Sequence, residues 1–152
     1  MKELRAFCRS FRYALEGIAF LLQNGRNFRF MIVVALGVIW TGWLVGLTGT
    51  EWAVQLLCCG LVLALEGVNT ALEQLCDRVT DQLDPFIKRA KDCAAGAVLL
   101  LSVFSGAVWT VITVAGGYWE KMLSLRWAAI FCVILPALRF WVFAPEKTTN
   151  DN

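Results

Sequence analysis

Trp52-Ala53-Val54-Gln55-Leu56-Leu57-Cys58-Cys59-Gly60-Leu61-Val62-Leu63-Ala64-Leu65 runs without a charge into Glu66-Gly67-Val68-Asn69-Thr70-Ala71-Leu72-Glu73, and Asp77 follows one turn later. The apolar run is a membrane helix in length and composition once its polar continuation is included. At roughly 100° per residue, Glu66, Asn69, Glu73 and Asp77 fall within an arc of about 80° and share one helix face. Ionisable groups at membrane depth face a protein interior and mark a functional site. Three carboxylates and an amide in one ladder point toward metal and phosphate chemistry.

The rest of the chain agrees with a membrane setting. Of its 152 residues 59% are hydrophobic, with a mean hydropathy of +0.63, above the about 45–50% of soluble domains. A net charge of +2 with no basic stripe gives no footprint for nucleic acid. Histidine is absent, which removes Ser-His-Asp, Cys-His and His-metal chemistry. Acid–base work falls to carboxylates, Lys, Tyr or Cys. The cysteines Cys8, Cys58, Cys59, Cys76, Cys93 and Cys132 form no C-x-x-C pair and mostly lie in apolar runs, where they read as small buried hydrophobes. No disulfide or zinc site is expected.

Residues 3–24 read as an amphipathic surface helix. Leu4, Phe7, Phe11, Leu15, Ile18 and Leu22 recur at spacings of three and four, with Arg5, Arg9, Arg12 and Glu16 between them; such a helix lies in the membrane interface or packs on a partner subunit. The short apolar stretch within it is no signal-peptide core. Phe30 to Thr50 carries no charge and is long enough for a first span, with Gly46 to Thr50 reading as a short turn at its end. The second helix starts near Glu51 or Trp52 and runs to about Thr80. Asp81 to Pro85 reads as a loop in which proline ends any helical path. Cys93 to Trp119, again uncharged, forms a third span. Arg126 to Phe143 is a fourth apolar segment, spanning or interfacial, and the tail from Pro145 is polar. The expected fold is therefore all-α and integral to the membrane: an N-terminal amphipathic surface helix, three transmembrane helices and a fourth C-terminal hydrophobic helix. The expected organisation is a membrane domain over 1–119, a hydrophobic extension over 120–144 and a polar tail over 145–152.

Lys and Arg set the orientation. Six fall within residues 1–29, none in the turn between the first two spans, and four between Arg78 and Lys91. The positive-inside rule places the N-terminus and the 78–91 loop in the cytoplasm. The polar ladder ends on that face, where a cytoplasmic solute and a bilayer lipid meet.

Three readings of the ladder stand side by side: a polar network between helices of an oligomer, an ion or proton pathway, and an enzyme site. A channel or transporter is disfavoured because no internal repeat is visible. For phosphoryl transfer the parts are present: Glu66, deepest in the bilayer, as base for a lipid hydroxyl; Glu73 for Mg²⁺; Lys91 on phosphate; and Asp92 to orient Lys91 or bind nucleotide. No GxxxxGK[ST] loop occurs, so this would not be a P-loop kinase.

Glu66-Gly67-Val68-Asn69-Thr70-Ala71-Leu72-Glu73 with Asp77 resembles the prokaryotic diacylglycerol kinase signature E-x-x-N-[ST]-A-[IL]-E-x-x-x-D. Ala90-Lys91-Asp92-Cys93-Ala94-Ala95-Gly96-Ala97-Val98-Leu99 resembles its second signature. Phe11-Arg12-Tyr13-Ala14-Leu15-Glu16-Gly17 and Arg26-Asn27-Phe28-Arg29 are similar to the undecaprenol kinase branch. The resemblance covers residues 5 to about 118. It implies a small homotrimeric lipid kinase that uses Mg²⁺ and ATP to phosphorylate a membrane alcohol, undecaprenol first and diacylglycerol second. By position, Glu66 matches the catalytic base and Glu73 a metal ligand. Tyr13, Asn69, Glu73, Lys91 and Asp92 match nucleotide-binding positions, and Asp77 a supporting one.

Two departures bear on activity. The family has N-E-R-N at the end of the surface helix, its Glu being a second metal carboxylate; this chain has Asn24-Gly25-Arg26-Asn27. A family His before the second signature corresponds to Asp84. Gly25 therefore opens an alternative, a catalytically weak or inactive homologue that binds lipid or nucleotide. A Gly25→Glu variant is the test the sequence suggests.

Overall fold

The computed structural model describes residues 1–79 and 84–123. The expected fourth segment, the tail and residues 80–83 lie outside them. The described residues form α1 (Lys2–Asn24), α2 (Arg26–Val45), α3 (Gly49–Val79), α4 (Pro85–Ala115) and a single-turn α5 (Trp119–Met122). Three of these helices, α2, α3 and α4, are long and apolar enough to cross a membrane. The expected surface helix and three spans are all present, with shifted ends.

The shifts have local causes. The first span closes at Val45, where the turn expected from Gly46 begins, because Gly46 takes the left-handed conformation (φ 80°) that ends helices; its start moves back to Arg26. α3 then opens on a reciprocal cap. The Thr48 backbone N–H and hydroxyl each donate to Glu51 Oε2 at 2.7 Å, and the Glu51 N–H donates to Thr48 Oγ1 at 3.4 Å, the arrangement of a capping box.

Pro85 was expected to terminate a helix; it begins one. It occupies the first turn of α4, where its missing N–H leaves no bond unmade. Asp84 Oδ1 accepts from the N–H groups of Phe86 (2.7 Å) and Ile87 (3.3 Å), a cap worth about 1 kcal/mol.

Gly25 is the elbow between α1 and α2. Its N–H donates to Leu21 O at 2.8 Å, and a Cβ there would lie 2.8 Å from that oxygen. The buried Arg29 side chain reaches back to donate to Gln23 O (2.8 Å) and Leu22 O (3.3 Å). A cation on the last carbonyls of α1 satisfies helix-end acceptors and complements the helix dipole. From Phe7 to Ile18 the apolar stripe of α1 is uncovered within the single chain, with Phe7 67% and Ile18 49% exposed, as an interfacial helix requires.

α3 and α4 run antiparallel and are pinned at both ends. At one end Lys91 Nζ meets Asp77 Oδ1 at 2.8 Å. At the other the Tyr118 hydroxyl donates to Glu51 Oε2 at 3.0 Å, and Lys121 Nζ donates to Val45 O at 3.3 Å. The buried apolar cluster lies at this second end, where Val45, Leu47 and Ile112 pack with Trp52, Val108, Trp109, Tyr118 and Met122.

Candidate active site

A cavity of 560 Å³ opens among α2, α3 and α4. α3 supplies Gln55, Cys59, Val62, Glu66, Asn69 and Glu73 to its wall, alternating spacings of four and three that keep one helix face inward. Asn27, Met31 and Ala35 face it from α2, and Ala95, Ser102, Ser105 and Trp109 from α4. Most of the wall is apolar. The ladder is its polar strip.

Within that strip Glu66 is 3% exposed and Asn69 4% exposed. Asn69 Nδ2 donates to Glu73 Oε1 at 3.1 Å. The amide thus holds the carboxylate one turn along. Asn69 Oδ1 is buried with no hydrogen-bond partner among the described residues, on a side chain that lines the cavity. Such a group demands a donor or a cation. Asp77 lies one turn beyond Glu73, exposed, and holds Lys91.

The structure thus brings together three of the residues singled out above, Glu66, Asn69 and Glu73. Lys91 and Asp77 form a pair beyond the Glu73 end. Tyr13 and Asp92 lie exposed and outside the cavity wall, Tyr13 with the Arg12 guanidinium 5.5 Å over its ring. Asp84 is fully occupied as a helix cap.

The residues matched by the prokaryotic diacylglycerol kinase family profile, 12–113, take in the α1–α2 elbow, the whole ladder and most of α4. The chain belongs to the prokaryotic diacylglycerol kinase family. Family membership makes it a lipid kinase and a multi-pass membrane protein. Within this group it is similar to the undecaprenol kinase of Bacillus subtilis, 40% identical over 110 residues, which cover 72% of this chain and 89% of that protein. It is also similar to the diacylglycerol kinase of Synechocystis sp., 42% identical over 95 residues, 62% of this chain and 54% of that protein. The Haemophilus influenzae diacylglycerol kinase is 30% identical over 100 residues, 66% of this chain and 85% of that protein. The chain thus spans nearly all of the Bacillus kinase and about half of the Synechocystis one.

Among the described residues no group of three His, Cys, Asp or Glu converges on one point. The donor set next to Glu73 nonetheless fits a hard cation. It offers a carboxylate and an unpartnered amide oxygen, and Mg²⁺ takes few protein ligands when phosphates supply the rest.

Sequence reasoning missed Asn27, Gln55, Ser102 and Ser105 as wall residues. Gln55 had a readable signal, because it lies on the ladder face at Glu66 minus eleven, three helical turns away. It is 2% exposed, and its Oε1 has no partner among the described residues. The others had none, since only packing against α3 turns them inward.

Proposed function

We propose that this kinase transfers the γ-phosphoryl group of ATP to the hydroxyl of a membrane lipid at the cytoplasmic face, undecaprenol first and diacylglycerol second. The observation that carries the reading is the buried Glu66 carboxylate at membrane depth, on the wall of a cavity that continues to Asn69 and Glu73 near the helix ends. A lipid alcohol enters laterally and a nucleotide enters from the solvent end.

Glu66 accepts the hydroxyl proton while the lipid oxygen attacks the γ-phosphorus in line and ADP departs. Lys91 offsets charge on the phosphates, Asp77 holding its ammonium in place, and Asn69 orients the Glu73 carboxylate. Glu73 and Asn69 would hold Mg²⁺, which when bound neutralises charge on the transferring phosphates. Tyr13 and Asp92 contribute to nucleotide binding from the exposed rim. The unit that does this is 1–119, with the N-terminus cytoplasmic and a homotrimer as the assembly. The uncovered apolar stripe of α1 and the exposed Leu99, Leu100, Val103 and Phe104 of α4 are consistent with lipid and sister subunits as neighbours.

The substrate order is supported by likeness: the chain covers 89% of the Bacillus subtilis undecaprenol kinase and 54% of the Synechocystis diacylglycerol kinase.

Gly25 favours one second reading, a weak or non-catalytic homologue that binds lipid or nucleotide. The test of both is phosphate transfer from labelled ATP by the purified protein in lipid micelles, with undecaprenol and diacylglycerol offered separately and Mg²⁺ titrated. Transfer to undecaprenol at the higher rate is expected. Bound ATP without transfer to either lipid would establish the second reading.

A further inference from the structure

We infer that the cavity has a second hydroxyl-binding position, remote from Glu66, at Gln55 toward the start of α3, and that a membrane alcohol rests there with its O–H on the Gln55 carboxamide. The inference rests on the lipid-alcohol reading of this cavity and adds a place where that alcohol is bound and does not react.

Gln55 is the anchor. It is 2% exposed and lines the cavity. Its Nε2 lies 3.6 Å from Cys59 Sγ, and sulfur is a weak acceptor. Its Oε1 is buried with no partner among the described residues. A carboxamide oxygen taken out of water requires a donor. At ~1.5 Å per residue Gln55 stands about 16 Å from Glu66 along α3.

Ser105 is a second, independent sign. The other hydroxyls of α4 bond back to their own helix: Ser102, Thr110 and Thr113 donate to the carbonyls of Val98, Gly106 and Trp109, each at 2.9 Å. Ser105 Oγ is buried without a partner among the described residues, and Ser105 lines the cavity. The Lys91–Asp77 ion pair sets the two antiparallel helices level at one end. Counted from that pair at ~1.5 Å per residue, Ser105 lies about 21 Å along α4, between the levels of Glu66 (about 16 Å) and Gln55 (about 33 Å) on α3. A group that can both donate and accept therefore stands between the two positions.

The chemistry selects the occupant. Glu66 and Glu73 are the only charged residues among the described residues that line the cavity, and Gln55 and Ser105 are neutral. Val34, Val38, Val62, Leu63 and Trp109 make the wall apolar. Such a place gives no counter-charge to a phosphate or a cation. It suits a hydrocarbon chain with one neutral hydrogen-bonding head, which is a long-chain alcohol. A bare hydrocarbon would leave the Gln55 oxygen without a donor. An alcohol whose hydroxyl is at Gln55 is out of reach of Glu66, because proton transfer needs an approach of about 2.6–3.2 Å.

The experiment is photolabelling of the full-length protein in nanodiscs, without nucleotide. The probe is a long-chain primary alcohol with a diazirine beside its hydroxyl, and peptide mass spectrometry locates the labelled residues. The control probe is its methyl ether, which has the same chain and no O–H to donate. The alcohol is expected to label two groups of residues, one at Glu66 and one at Gln55 and Cys59. The methyl ether is expected to label the second group less by about threefold or more. Gln55→Leu should lose the second group by a similar factor and keep the first, which also reports that the variant is folded. Equal labelling of Gln55 and Cys59 by the alcohol and its ether would overturn the inference, and that comparison needs no variant. So would a Gln55→Leu protein labelled like wild type. Label at Gln55 with none at Glu66 would sink the proposed reaction at Glu66 and leave the second position standing.

Discussion

The two ends of the helix bundle are built on opposite plans. At the Glu51 end, Val45, Leu47 and Ile112 are buried beneath Trp52, Tyr118 and Met122, and Glu51 gathers Thr48 and Tyr118 around one carboxylate oxygen. The polar side chains of Thr48, Glu51 and Tyr118 there bond one another. At the Asp77 end the same α3 and α4 are joined by one exposed ion pair, worth about 0–1 kcal/mol. Between them the wall polar atoms Asn69 Oδ1, Gln55 Oε1 and Ser105 Oγ have no partner among the described residues. Closing one end fixes the splay of the helices, and leaving the other open keeps donors and acceptors for ligands.

The sharpest way to break this contrast is Glu66→Gln. It keeps the shape of the wall and removes the base, so phosphate transfer should fall about 10²–10⁴-fold with ATP binding near wild type. Turnover that survives in a single-turnover assay would take Glu66 out of that role. Glu73→Ala comes next. The Mg²⁺ concentration needed for half-maximal rate should rise by about tenfold or more, ~1.4 kcal/mol, with nucleotide binding weakened in step. An unchanged Mg²⁺ titration would detach Glu73 from the cation.

Gly25→Glu probes the elbow that feeds the open end. With Leu21 O only 2.8 Å from the incoming Cβ, the backbone must shift. Overpacking of this kind costs about 1–3 kcal/mol, to be read as a lower thermal midpoint. A variant that melts like wild type and transfers phosphate faster would show that the elbow yields and that the natural chain lacks a carboxylate it can use.

The smallest effect is expected at the closed end. Tyr118→Phe removes the latch to Glu51 and should lower the midpoint by a few degrees with the transfer rate unchanged. Burial, reinforced by the bond to Glu51, holds the Tyr118 phenol above its ordinary range. Its contribution is therefore complete below the ordinary phenol pKa and is lost as pH rises through the elevated one. Wild-type and Tyr118→Phe melting points should differ at neutral pH and converge in strong alkali. A constant gap would assign the latch to packing alone.

Much of this was legible in the chain. Uncharged runs long enough to cross a bilayer can be read from length alone, and the ladder from its spacing, because helix periodicity fixes which of Glu66, Asn69 and Glu73 share a face. The α1 stripe was readable for the same reason. Helix ends were less so. Pro85 looked like a terminator because a proline forbids the turn before it, yet Asp84 supplies a cap and lets it open α4. Gln55 was legible by its register but was passed over inside an apolar stretch.

The amino-acid sequence alone determined the membrane class, the spans, the polar face and, through two motifs at their spacing, the family. These are properties of a local repeat or of residue order along one helix. Only the tertiary structure decided that Asn69 holds Glu73, that Asn27 lines the same cavity from another helix, that Lys91 pairs with Asp77 while Tyr13 and Asp92 stand outside the cavity, and that a Cβ on Gly25 would meet the Leu21 carbonyl. Each of those depends on which faces of separate helices meet, and on the few ångströms between a backbone oxygen and a missing Cβ, which no spacing along the chain encodes.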